Sequence, residues 1–148
     1  MASERDDRAP RNDTSPAVTE AEVALRSAGA RNATFHQQSV GRGRWFADWS
    51  GTLADSDVYI AITGKGRTPR KVRLLLDDWI FDDVAAGHLG GMLSEIFSGG
   101  ATIRTTRAFL IVPVQSLKVS VGRSRYSAAR KLPPDGELSP WERALADG

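Results

Sequence analysis

Asp57 to Leu76 reads DVYIAITGKGRTPRKVRLLL. Val58, Ile60 and Ile62 alternate with less apolar residues, the period of a half-buried strand over Asp57–Thr63. Gly64-Lys65-Gly66-Arg67-Thr68-Pro69 is a hairpin loop with a basic tip. Arg70–Leu76 then returns, with Val72, Leu74 and Leu76 on the buried face and Lys71 and Arg73 on the other. A strand, a Gly-rich turn and a second strand make an antiparallel pair. Everything else in the chain must be arranged around that pair.

Upstream, Asp55-Ser56-Asp57 marks a turn, and Arg44–Ser50 alternates with Trp45, Ala47 and Trp49 on one face. Val40-Gly41-Arg42-Gly43 turns back to a candidate strand at Ala33–Val40. A short helix is predicted from Thr19, with Glu22 completing a capping box and Gly29 free to take the left-handed cap. Its apolar residues, Ala21, Ala24, Leu25 and Ala28, bury little area, so the helix must dock to persist. Residues 1–16 mix both charge signs with Pro, Asn and Ser and are expected to be disordered.

Downstream, Asp77-Asp78 falls in a turn and Asp82 or Asp83 is placed to cap a helix. Val84, Ala85, Leu89, Met92, Leu93, Ile96 and Phe97 have helical spacing, and Gly99-Gly100 ends it. Gly90-Gly91 inside that helix costs roughly 1 kcal/mol per Gly relative to Ala and implies close packing on a neighbour. Arg107–Val114 and Leu117–Gly122 read as strands, with Pro113 arguing for an edge or a bulge. After a turn at Pro133-Pro134-Asp135-Gly136, Ser139-Pro140-Trp141-Glu142 carries the N-cap, N1 proline and capping box of a last short helix. The order α-ββ-ββ-α-ββ-α is an α+β architecture: an antiparallel sheet of about five to six strands with helices on one face. The expected organisation is a tail at 1–16, a single domain at 17–131, and a turn with a short helix at 132–148.

The 148 residues are 41% apolar and 26% charged, ordinary for one globular domain, and contain no cysteine. Disulfides and every Cys-based metal site or nucleophile are therefore excluded. The N-terminus has no apolar core of a secretory signal, and the longest apolar window, Phe109–Val114, is too short to span a bilayer. The expectation is a cytoplasmic protein without a membrane association. Its 16 Arg against 4 Lys, with abundant Ala and Gly, suggest a GC-rich genome.

Catalytic signatures are weak. His36 and His88 have no linked Ser, Asp or second His at a useful spacing, and two histidines without cysteine make poor zinc ligands. The pairs Asp77-Asp78 and Asp82-Asp83 could hold a cation or serve as acid and base, but a turn and a helix start explain them better. Neither Gly-rich loop matches a P-loop or a dinucleotide fingerprint. No enzyme, cofactor or metal is expected. Charge distribution says more. Between Gly64 and Arg73 there are five basic residues and no acid; between Ala101 and Lys131 there are seven and no acid. Arg42, Arg44, Lys65, Arg67, Arg70, Lys71, Arg73, Arg123 and Arg125 on hairpins and strands form a candidate footprint for a phosphate backbone. Trp45 and Trp49, with Tyr59 and Tyr126, would be stacking platforms for bases if they were exposed and core residues if they were not.

Asp57 to Phe97, DVYIAITGKGRTPRKVRLLLDDWIFDDVAAGHLGGMLSEIF, resembles the central part of the YbaB/EbfC family of small nucleoid-associated proteins. Val58–Gly66 matches the family's alternating strand and Gly-rich turn, Lys71–Leu74 its second strand, and Leu89–Phe97 its helix. Some actinobacterial accessory proteins of type VII secretion look similar over the same stretch. The family's long amphipathic helix before its strands, used in dimerisation, is replaced here by the short helix from Thr19 and an aromatic hairpin. The resemblance implies a DNA-binding homodimer. The expected function is thus a non-catalytic binding protein that takes DNA or RNA through its basic hairpins. The alternative is an adaptor or chaperone-like accessory of a secretion or assembly system, using the basic face for an acidic protein partner.

Overall fold

A computed structural model describes residues 14–108, 112–132 and 136–146. Most of the tail expected at 1–16, the first half of the Phe109–Val114 window and the Pro133–Asp135 part of the last turn lie outside them. Chain order is α1 (Pro16–Ser27), β1 (His36–Gly41), β2 (Arg44–Leu53), β3 (Ser56–Lys65), β4 (Lys71–Leu76), β5 (Trp79–Ala85), a 3₁₀ turn (Ala86–His88), α2 (Leu89–Phe97), β6 (Thr102–Ala108), β7 (Val112–Val121), β8 (Ser124–Lys131) and α3 (Pro140–Leu145). Strands β1 to β5 form an antiparallel meander in sequence order, and β6 to β8 form a second, three-stranded sheet. The architecture is α+β, with eight strands in two sheets among the described residues rather than five to six in one.

The central hairpin forms as its alternation requires. Ile60, Ile62, Leu74 and Leu76 are fully buried, and Ile62 pairs with Leu74 across the ladder. Helix α1 starts at Pro16, three residues before the expected Thr19, with Ser15 at the N-cap. Glu22 does not close a capping box. It points inward, fully buried, and accepts the Phe35 N–H (2.8 Å), tying α1 to the entry of β1.

The largest correction concerns Asp82 and Asp83. They lie on β5, not at a helix start. Trp79 and Phe81 alternate inward, but Asp83 takes φ +57° in a β-bulge, so Val72 pairs with Val84 and Leu74 with Phe81. One extra residue in β5 breaks the period of two. The inward residues Phe81 and Val84 are therefore three apart, a spacing that suits a helix rather than a strand. The helix itself begins at Leu89, and its glycines do sit in tight places. A Cβ on Gly90 would lie 3.3 Å from the Glu20 carbonyl oxygen of α1, and one on Gly91 would lie 3.0 Å from Val121 of β7.

The second sheet departs further from expectation. The strand expected at Arg107–Val114 is instead the end of β6 and the start of β7, and β8 was not foreseen. Pro113 is in a central strand, not at an edge. It sits one residue before the first β7–β8 pair, Val114 with Lys131, so its missing N–H removes no bond from that ladder. Helix α3 forms as expected, with the Ser139 N–H donating to Glu142 Oε1 (2.9 Å). It docks fully: Trp141 and Leu145 are buried in the same core as α1, α2 and both sheets.

Candidate functional site

Two turns with nearly the same sequence, Gly-Arg-Gly-Arg at 41–44 and Gly-Lys-Gly-Arg at 64–67, are brought side by side by the fold. The Gly66 N–H donates to the Gly43 carbonyl (2.8 Å), and the Trp45 indole N–H donates to the Gly66 carbonyl (2.8 Å). Positive φ at Gly41, Arg42, Gly43 and Gly66 lets both chains turn there. The next step in space is Arg70, whose carbonyl accepts the Ala86 N–H (2.8 Å) at the end of β5. Beside it the Ala85 N–H donates to the Tyr126 hydroxyl (3.2 Å) at the start of β8, adjoining Arg123 and Arg125 of the β7–β8 hairpin. These bonds join the β1–β2 and β3–β4 turns at one end of the five-stranded sheet and tie that end, through the last residues of β5, to β8. All nine predicted residues, Arg42, Arg44, Lys65, Arg67, Arg70, Lys71, Arg73, Arg123 and Arg125, are exposed; Arg44, Lys65, Lys71 and Arg73 line one groove, whereas Arg125 borders another with Thr102, Lys118 and Ser127.

Within this end, Arg44 and Lys65 are paired directly across β2 and β3 on the face turned away from the core. Like charges directly opposite are destabilising, so this pair gains from an anion. Lys71 and Arg73 continue the row on β4. Arg73 forms an exposed ion pair with Asp82 (3.1 Å), worth at most about 1 kcal/mol and easily exchanged for another anion. A groove of about 580 Å³ runs between these residues, with Phe46 in its wall and Asp82 and Asp83 closing its β5 side.

The aromatic candidates resolve otherwise. Trp45 and Trp49 are buried, and the Trp49 indole N–H donates to the Asn32 carbonyl. Tyr59 gives its hydroxyl proton to Asp48 (3.0 Å). Burial first, then the Asp48 hydrogen bond and charge, raises the Tyr59 phenol above its ordinary range. The Tyr126 hydroxyl accepts from Ala85 and is also hydrogen-bonded to His88 Nδ1 (2.7 Å). Two half-buried aromatic residues lie on the outer face, Tyr59, held by Asp48, and Phe46, between Trp45 and Ala47. The signal of Phe46 was legible: an aromatic ring on the same strand face as Arg44 and Asp48, out of phase with the core.

A second cluster is structural. Arg130 is largely buried on β8, with its guanidinium 4.1 Å above the Trp79 ring. It pairs with Glu142 (2.7 Å) and Asp78, and donates from Nε to Gln115 (3.0 Å). Glu142 also accepts the Trp79 indole N–H (2.8 Å). Burial alone would raise the Glu142 carboxyl. The Ser139 N–H, the Trp79 indole and Arg130 outweigh it and hold that carboxyl below its ordinary value. Asp77 accepts from the Tyr59 N–H (2.9 Å) and the Trp141 indole (2.9 Å), yet burial dominates and raises it. These bonds lock α3 onto both sheets.

His36 is paired with Asp48 across β1 and β2 on the exposed face, far in sequence from His88. Among the described residues no group of three His, Asp or Glu is placed to hold a metal ion. No helix among them is long and apolar enough to cross a membrane. No family model, no curated protein and no solved structure matches the chain.

Proposed function

We propose that this chain is a non-catalytic binding protein whose basic end grips the phosphate backbone of a nucleic acid. The observation that carries the reading is the clustering of Arg44, Lys65, Lys71 and Arg73 around one groove, with Arg44 and Lys65 directly opposed and the exposed Arg42, Arg67 and Arg70 on the adjoining turns. Such a concentration of cations attracts a polyanion and releases its counterions on binding. The likeness of residues 57–97 to nucleoid-associated proteins points the same way. A second reading, a protein adaptor, is favoured by one observation: β1 is an edge strand with a mostly exposed polar surface, open to a partner strand or a second copy.

Salt separates the two. Affinity for DNA or RNA should fall steeply as salt rises, whereas strand addition should be nearly insensitive. Replacing Arg42, Lys65, Arg70 and Lys71 together by Ala should weaken binding at least about tenfold and make the log–log salt slope shallower by roughly 3–4, at about 0.9 per duplex phosphate contact. An unchanged slope in a variant with an unchanged thermal melt would remove the nucleic-acid reading.

A further inference from the structure

We infer that the sheet face turned away from the core is a platform for single-stranded nucleic acid, with Phe46 as the side chain on which a base stacks. This rests on the phosphate-binding reading above and adds the kind of strand that the site takes. In register, Phe46 lies opposite Thr63 and Thr63 opposite Arg73. In the next row Ala61 lies opposite Leu75, and Leu75 opposite Ile80. Phe46 and Leu75 are half-buried and Ile80 is 42% exposed. Because Ala61 is small, these side chains border a shallow apolar hollow of about 230 Å³. Arg44, Lys65 and Lys71 stand along one side of it.

The geometry suits a single strand better than a duplex. A duplex hides its base faces, and its grooves admit a helix or a two-stranded ribbon, not a broad sheet face. A duplex could meet this surface only through phosphates. A single strand can lay unstacked bases on Phe46 and the apolar row while its phosphates follow the cations. Of the three carboxylates beside the platform, Asp48 is engaged by the Tyr59 hydroxyl and Asp82 by Arg73, while Asp83 stands at the β5 edge. A protein partner fits less well. A specific interface needs about 800 Å² per partner, more than this short row offers.

The test measures fluorescence anisotropy of the full chain with a labelled single-stranded DNA of about 15 nucleotides and with its duplex, at about 50 mM salt. The single strand should bind roughly tenfold more tightly than the duplex. Phe46→Leu keeps apolar volume but removes the π-face. It should weaken the single strand by about fivefold or more while leaving the duplex within about twofold, and Phe46→Tyr should restore binding. Ile80→Glu, at an exposed position, places an anion on the platform and should weaken the single strand without depending on the tolerance of position 46. Equal affinity for both probes, or indifference of the single strand to Phe46→Leu and Ile80→Glu, overturns the platform and leaves the phosphate reading standing. Absence of binding to either probe overturns both and assigns the apolar row to a protein partner.

Discussion

Gly64 and Glu142 show how single residues hold this fold. Gly64 is the cross-strand partner of Trp45, and a Cβ there would lie 2.5 Å from the indole Cζ2. The ring cannot swing away without giving up its hydrogen bond to Gly66. Gly64→Ala should therefore cost about 1–3 kcal/mol in urea denaturation, the range for overpacking. Glu142 is one half of a buried ion pair. Glu142→Gln leaves Arg130 short of its buried counter-charge and should cost about 3–5 kcal/mol. Replacing Arg130 by Met in the same chain should recover part of that loss, because the uncompensated charge is gone. Acid titration tests both carboxyls with opposite signs. Glu142 is depressed in the folded state, so its stabilisation is present above the unfolded value of about 4.3 and is lost as pH falls through the folded value. Asp77 is raised, so its stabilisation is full below the unfolded value of about 3.9 and is lost as pH rises through the folded value. The melting-temperature difference between wild type and Glu142→Gln should shrink in acid. Between wild type and Asp77→Asn it should shift in favour of wild type.

Two elements are testable on their own. The β2–β3 turn puts Ala54 at φ +53° and Asp55 at φ +61°. Two-residue hairpin turns with positive φ at both positions favour Asn-Gly, since an alanine Cβ crowds the backbone there. Changing Ala54-Asp55 to Asn-Gly should stabilise the protein by about 0.5–1 kcal/mol, read as a higher urea midpoint at unchanged slope. Helix α2 contributes Leu89, Met92, Leu93 and Ile96 to the core that also contains Val58, Ile60, Ile62, Val72 and Leu74. If the stripe is covered by that sheet face, Leu93→Ala should cost about 2–5 kcal/mol; a cost below about 0.5 kcal/mol would mean it is not.

At the scale of the molecule, α3 joins what would otherwise be two adjacent sheets. It brings Trp141 against the Asp77 turn and Glu142 against Trp79 of β5 and Arg130 of β8. Ending the chain before Ser139 would strip the cover from Trp79 and Arg130 together. The melting temperature should then fall by roughly 10 °C or more, since losing even one buried Trp costs about 3–5 kcal/mol. The intrinsic tryptophan emission should shift to the red as Trp79 becomes wet. An unchanged melt and spectrum would show that the helix is dispensable.

The local pattern by itself determined the β3–β4 hairpin, the β2 face carrying Trp45 and Trp49, the apolar stripe of α2 and the capped start of α3. In each of these, hydrophobic period and turn chemistry agree within a few residues. It also determined which side chains are basic and that they crowd into hairpins. Only the tertiary structure decided the rest. The bulge at Asp83 hid β5, because a period of two cannot be read across an inserted residue. Glu22 was expected to complete a capping box and Arg130 counted only as one of a run of basic residues; both are buried because partners remote in sequence, the Phe35 N–H for one and Glu142 for the other, satisfy their charge. The joining of the two basic turns of the first sheet, and the half-buried place of Phe46 on the outer face beside buried tryptophans, follow from strand register. Register is set by contacts between residues tens of positions apart, and no local pattern contains that information.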